Sequence, residues 1–360
     1  NTRMNYIIDQ INEQAHNAGP KAREDINVIL AEHGYTQRKL SCSYSSSPLS
    51  IVRDMHLMDY QLKQSVAQLQ KGDAFILQYP YRCASARTGK SLARIAHSKG
   101  IIAVALIHDL LNLRGNTSGL LGALTGRIRD DISFLREFDF IIAHDERMKE
   151  LLVVSGIEER KVIPLQLFDY LVRSREHHTV DHRNENWRKL IIAGNLSPEK
   201  ASYLNCLKRL DISAHKGFRV ELYGSGYTGD SNDFVSYMGT FLADSPQSAI
   251  KSSFGLVWDG DSIDTCAGPY GEYLRINNPH KLSLYIACGI PVFAWEDSAV
   301  SSFIKEYNLG FTVSSLLEIP SIIDSLSNQD YQKLTTSVSA IQKRVLNGYY
   351  TLEACKQVLR

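Results

Sequence analysis

Two lysines of this chain stand where a helix disfavours them. Asn278 and Pro279 read as an N-cap and a first helical position, and Leu282, Leu284, Tyr285, Ile286 and Cys288 continue a helix that Gly289 ends. Lys281 then falls in the first turn, where the aligned peptide dipoles leave positive charge and a cation costs roughly 0.3–1 kcal/mol. The pattern recurs upstream: Gly194 and Asn195 turn, Ser197 caps, Pro198 opens a helix, and Lys200 is its third residue. Either lysine alone can snorkel outward at tolerable cost. Together they favour one diphosphate held between two helix starts, with Asn278 and the loop glycine Gly19 as further candidate contacts.

Other polar groups gather near these lysines. Phe254, Gly255, Leu256, Val257 and Trp258 form an apolar run that stops at Asp259, the pattern of a strand buried on both faces that ends at a polar rim. Trp258 is a candidate to stack a base or sugar, although a Trp at the end of a buried strand is more often core. Asp259, a further candidate contact, forms with Gly260 and Asp261 either a turn or a DxD metal pair. Lysines at the phosphates make a cation redundant, so no metal and no cofactor is expected beyond a donor substrate. Tyr223 and Gly224, where a strand runs into Gly224, Ser225 and Gly226, are candidate nucleotide or sugar contacts, though any left-handed turn also wants glycine. In the first half the apolar run over 101–107 ends at His108 and Asp109. Carboxylates at the ends of buried parallel strands serve as bases, so Asp109 is the candidate general base, with capping of the next segment as its alternative. His16, Asp9 and Glu13 stand next in line. His108, Lys21 and Arg114, the last in a loop over 112–126 rich in Gly, Asn, Ser and Thr, are candidate acceptor-side residues.

These residues need elements to hold them, and the chain alternates strands and helices along both halves. At 360 residues it is too long for one ordinary core, and a hydrophobic content of 44% can fill two. The expected division is a first domain over 1–174, a polar linker over 175–187, a second domain over 188–346, and a terminal helix over 347–360 able to cross back. The linker histidines His177, His178 and His182 read as solvated rather than metal-binding. With 40 Lys+Arg against 39 Asp+Glu, no global field recruits nucleic acid or a membrane. Any such attraction is local: a helix over about 83–99, with Arg82 just before it, carries Arg87, Lys90, Arg94 and Lys99 without an acid, either an ordinary solvated face or a footprint for anionic lipid. Six unpaired cysteines suit a reducing cytoplasm, no run is long enough to span a bilayer, and no signal peptide opens the sequence.

Two doubly wound α/β domains facing a cleft, with phosphate signals mostly in the second, describe the GT-B arrangement of sugar-nucleotide transferases. Acceptor binding then falls to the first domain. In such a reaction the departing diphosphate gains charge, which Lys200 and Lys281 stabilise, while Asp109 takes the acceptor proton and attack from the far side of the anomeric carbon inverts it.

The segments AGPKAR (18–23), LIHD (106–109) with LRG (113–115), LFDYL (167–171), AGNLS (193–197) and nearly all of 254–285, above all WDGDS and NNPHK, resemble a known family. The chain is similar to bacterial β-1,6-galactofuranosyltransferases of O-antigen clusters and, more distantly, to adhesin-glycosylating glucosyltransferases of streptococci. The resemblance implies a GT-B fold, UDP-galactofuranose as donor, and a lipid-linked oligosaccharide of surface-polysaccharide synthesis as acceptor, met at the inner face of the membrane. It also implies that Lys281 and Lys200 hold UDP, as matching basic residues do in the related glucosyltransferases. Another UDP-hexose donor, a sugar-nucleotide epimerase and a non-catalytic nucleotide-binding subunit remain alternatives.

Overall fold

The buried apolar runs become two six-stranded sheets, parallel throughout. In a computed structural model the described residues are 3–10, 18–42, 47–82, 84–110, 128–173, 186–210, 215 and 217–359. The first sheet contains β1 (Asn5–Gln10), β2 (Thr36–Leu40), β3 (Ala74–Tyr79), β4 (Ile102–Ile107), β5 (Phe140–Ala143) and β6 (Val162–Pro164), in the order β2-β1-β3-β4-β5-β6. The second contains β7 (Lys189–Asn195), β8 (Arg219–Ser225), β9 (Val235–Gly239), β10 (Phe254–Val257), β11 (Val292–Trp295) and β12 (Gly310–Val313), in the order β12-β11-β10-β7-β8-β9. Helices α1 (Ala18–Glu32), α2 (Pro48–Ala67), α3 (Ala86–Lys99), α4 (Ile128–Leu135) and α5 (Glu146–Val154) connect the first set. Helices α6 (Pro198–Ala201), α7 (Gly268–Tyr273), α8 (His280–Ala287), α9 (Ser301–Glu306), α10 (Ile319–Ser325), α11 (Asn328–Val345) and α12 (Tyr349–Val358) follow. The expected alternation overlooks α4 and α7. The latter, GPYGEY, carries a proline and two glycines and reads as loop in isolation.

The chain divides into two compact units, Asn1–His16 with Ala22–Gln166 and Tyr350–Arg360, and Asn17–Lys21 with Leu167–Tyr349. The first unit therefore stops short of the expected 174. Residues after Gln166 bond within the second: the Ser283 hydroxyl donates to Phe168 O at 2.6 Å, and Tyr170 N–H to Val345 O at 3.1 Å. Nearly all of the expected linker, its histidines included, lies outside the described residues. Helix α12 falls almost wholly in the first unit, where the Arg3 guanidinium donates to Leu359 O at 3.0 Å.

In a doubly wound sheet the crevice for ligands opens where the connections from neighbouring strands diverge. Here those points lie between β1 and β3 and between β7 and β10. In the second unit the opening has a visible cause. Strands β10 and β7 pair only at Phe254 with Leu190 and Gly255 with Ile191. Beyond that the Tyr285 hydroxyl stands between them, donating to Leu256 O at 3.1 Å and accepting from Ala193 N–H at 2.9 Å. Gly255 makes room for it, since a Cβ there would meet the Tyr285 ring at 2.2 Å.

The helix opened by Pro198 is also shorter than its start signals suggest. Gly260 N–H donates to Lys200 O at 2.8 Å and Tyr203 N–H donates to Gly260 O at 3.3 Å, so the backbone N–H and C=O of Gly260 take two rungs of the helical ladder. The α-helix stops at Ala201 and a 3₁₀ segment, Ser202–Arg209, takes over. Replacing Tyr285 by Phe leaves the buried groups of Ala193 and Leu256 unpaired. Urea unfolding should show a loss of about 1–3 kcal/mol, and unchanged stability would remove the hydroxyl bridge from this account.

Candidate active site

At the carboxyl edge of the second sheet, one buried carboxylate stands between the two lysines. The Lys281 ammonium donates to Asp259 Oδ1 at 2.7 Å and to Trp258 O at 3.1 Å, while Lys200 Nζ lies 3.8 Å from Asp259 Oδ2. Asp259 is 4% exposed. The cluster carries a net charge of +1, so it is set for an anion even with the carboxylate in place. Three local devices assemble it. Strand β10 delivers Asp259, the Gly260 insertion fixes the carbonyl of Lys200 against the same loop, and α8 starts one residue later than its sequence suggests. Pro279 is the N-cap and His280 the first helical residue, which puts Lys281 second; Asn278 is buried just ahead. The expected helix-dipole conflict is thus relieved from inside the protein by Asp259. For Lys200 the dipole argument also loses force, because α6 spans only four residues.

Several expected contacts are placed elsewhere. Trp258 is fully buried with its indole N–H donating to Ser262 O at 2.9 Å, so no ring face is left for a base or sugar. The Tyr223 hydroxyl is turned to Glu221 at 3.1 Å and lies 3.4 Å from Ala249 O. Gly224, at φ +147°, pairs in register with Gly194, and a Cβ would fall 1.8 Å from Gly194 O; its glycine serves close strand approach. Gly19 lies in the first turn of α1. Lys21 is not presented to an acceptor: it is buried, donates to Leu171 O at 2.7 Å and pairs with Asp244 at 3.0 Å. Its ammonium also sits 5.0 Å from the Tyr170 ring centroid, and that ring stacks on His280 with centroids 5.0 Å apart. His280 escaped the sequence reading because the helix grammar spoke only for its neighbours. Burial, and then the Lys21 charge, push its imidazole down to about 4, so it stays neutral at the start of α8.

In the first unit a polar network lies under the ends of β1, β3 and β4. The Arg23 guanidinium donates to Asp9 Oδ1 at 2.6 Å and to Pro80 O, and Asn27 donates to Asp9 Oδ2 at 3.1 Å. Burial holds the Asp9 carboxyl above its ordinary range despite Arg23, yet both its oxygens are engaged, which counts against Asp9 as a base. The buried Gln78 amide donates to Arg23 O at 3.1 Å and to Asn27 Oδ1 at 2.8 Å. Its Oε1 must then accept, which assigns a proton to His108 Nε2 at 2.5 Å. His108 is thereby fixed in ring orientation and tautomer, and half-buried Asp109 follows it at the rim. Arg114, His16 and Glu13 lie outside the described residues.

Comparison with known proteins places the chain in a family. Residues 4–167 match the N-terminal domain, and residues 190–358 the C-terminal domain, of the glucosyltransferase 3-like proteins. The chain belongs to the glucosyltransferase 3-like family. It is a glycosyltransferase. It is 29% identical over 360 residues to the β-1,6-galactofuranosyltransferase WbbI of Escherichia coli K12, covering 98% of each chain. Identity to glucosyltransferase 3 of Streptococcus gordonii is 25% over 238 residues, 63% of this chain and 65% of the relative. Among solved structures, the lipopolysaccharide outer core galactosyltransferase WaaB has a TM-score of 0.57 at 12% identity, covering 99% of both chains. Anabaena HepE, crystallised with UDP and glucose, has a TM-score of 0.58 at 12% identity, covering 99% of this chain and 98% of its own. At such identities these structures speak for the fold alone, two Rossmann-like units of the GT-B class. In this glycosyltransferase the neutral His280 makes a pH prediction. The unfolded imidazole titrates near 6.5 and the folded one near 4, so the unfolded chain binds more protons between those values. The contribution is full above about pH 6.5 and is lost as pH falls towards 4. Urea midpoints of His280→Gln should therefore decline less over that window than those of the parent protein; parallel declines would refute a buried neutral His280.

Proposed function

We propose that this protein is an inverting, metal-independent transferase that moves galactofuranose from UDP-galactofuranose to a hydroxyl of a lipid-linked glycan in cell-surface polysaccharide synthesis. The observation that carries the reading is the Lys281–Asp259–Lys200 cluster at the switch point of the second sheet. The donor rests on the full-length similarity to WbbI, and the UDP moiety is supported by HepE, which was crystallised with it. In the reaction the acceptor oxygen bonds to the anomeric carbon, the bond from that carbon to the diphosphate oxygen breaks, and UDP leaves with the electron pair. The two ammonium groups meet the charge that grows on the leaving oxygens, and Asp259 holds them in place beforehand, so little reorganisation is needed. Asp109 takes the proton from the acceptor hydroxyl. Both Asp259 oxygens face ammonium groups, which favours this scheme over one in which Asp259 and Asp261 hold a divalent cation.

Titration calorimetry with UDP in EDTA tests the diphosphate site. Binding should persist without metal, and Lys281→Ala should weaken it by about 1.5–3 kcal/mol. Binding only on addition of magnesium or manganese would transfer the role to Asp259 and Asp261. Asp109→Asn should lower turnover with UDP-galactofuranose by about 100-fold or more at similar donor affinity. Retained turnover would place the base elsewhere, and transfer from UDP-glucose in preference would replace the donor.

A further inference from the structure

Helix α2 buries Ser50, Asp54, Met58, Leu62 and Val66 along one side, yet its opposite side is apolar as well. Leu49 is 86% exposed, Val52 50% and Tyr60 62%, and with His56 they form a single row at i, i+3, i+7 and i+11. Met55 and Leu57 flank that row and are also exposed. An amphipathic surface helix places polar residues at such positions. Helix α3 packs beside α2, with Arg87, Lys90, Arg94 and His97 exposed along its outer side and no acid anywhere in it. The two rows meet at Asp59, which pairs with Lys63 at 2.7 Å and accepts a hydrogen bond from the Thr88 side chain. The other acid of α2, Asp54, is buried against Arg82 at 2.9 Å. Asp59 also faces Arg87, and His97 lies 3.2 Å from Asp139, so within the row Lys90 and Arg94 are the cations without a carboxylate partner among the described residues.

We propose that the α2–α3 face docks on an anionic phospholipid bilayer, an inference that rests on the reading of the acceptor as lipid-linked. The exposed apolar side chains enter the headgroup boundary while Arg87, Lys90 and Arg94 meet the lipid phosphates. A second copy of the chain suits this face less well, because a two-fold pairing centred on it brings two cationic rows together. Sedimentation of the full chain with vesicles, without donor or acceptor, tests the face independently of the reaction. Binding should be strong to phosphatidylglycerol and phosphatidylcholine mixed in equal parts, weak to phosphatidylcholine alone, and reduced by salt. The double change Lys90→Glu with Arg94→Glu should weaken it at least about tenfold, and Leu49→Ser with Val52→Ser should weaken it as well. Transfer to a soluble acceptor mimic should be unchanged in both variants. Equal binding to the two vesicle types, or undiminished binding by both variants, would overturn the proposal. So would variants that lose soluble transfer together with binding, or a concentration-dependent dimer that Leu49→Ser with Val52→Ser abolishes. Vesicle binding with no transfer to any glycan would leave the docking face standing and sink the function instead.

Discussion

The buried carboxylate of Asp259 sets what the second unit can do. A carboxylate taken from water must be compensated, and here two lysines from different segments compensate it, at 2.7 and 3.8 Å. That requirement draws the residues after β7, after β10 and at the start of α8 to one point. Because two cations answer one anion, a positive excess survives at the crevice edge. The same carboxylate limits the motion of the lysines, which in the proposed reaction keeps their ammonium groups in place for a leaving diphosphate.

The surrounding backbone shows how far this arrangement reaches. Gly260 places its backbone N–H and C=O into the ladder of α6, which ends after four residues. Tyr285 replaces the strand pairing that β7 and β10 give up, and Gly255 exists without a side chain so that the ring can lie there. An opening between parallel strands normally leaves amide and carbonyl groups without partners; a phenol that both donates and accepts solves this with one atom.

The first unit uses a different device at its own switch point. Asp9 and Arg23 form an ion pair, Asn27 and Gln78 pass its orientation along, and His108 receives it as a fixed tautomer. Each amide donates where a carboxylate or carbonyl accepts, so the order of donors is determined from Asp9 outward. A chain of this kind orients the histidine next to Asp109.

By itself the sequence determined the alternation of strands and helices and the two-sheet architecture, because these depend on local periodicity and capping. The resemblance in WDGDS and NNPHK carried the family. Tertiary structure alone decided that Asp259 stands between the two lysines, that Trp258 is core and that Lys21 is buried against Asp244, since each depends on partners far away in the chain. The neutral His280 and the hydroxyl bridge of Tyr285 were equally out of reach of spacing arguments. Periodicity says which side of an element is covered; only packing says what covers it and which polar groups meet there.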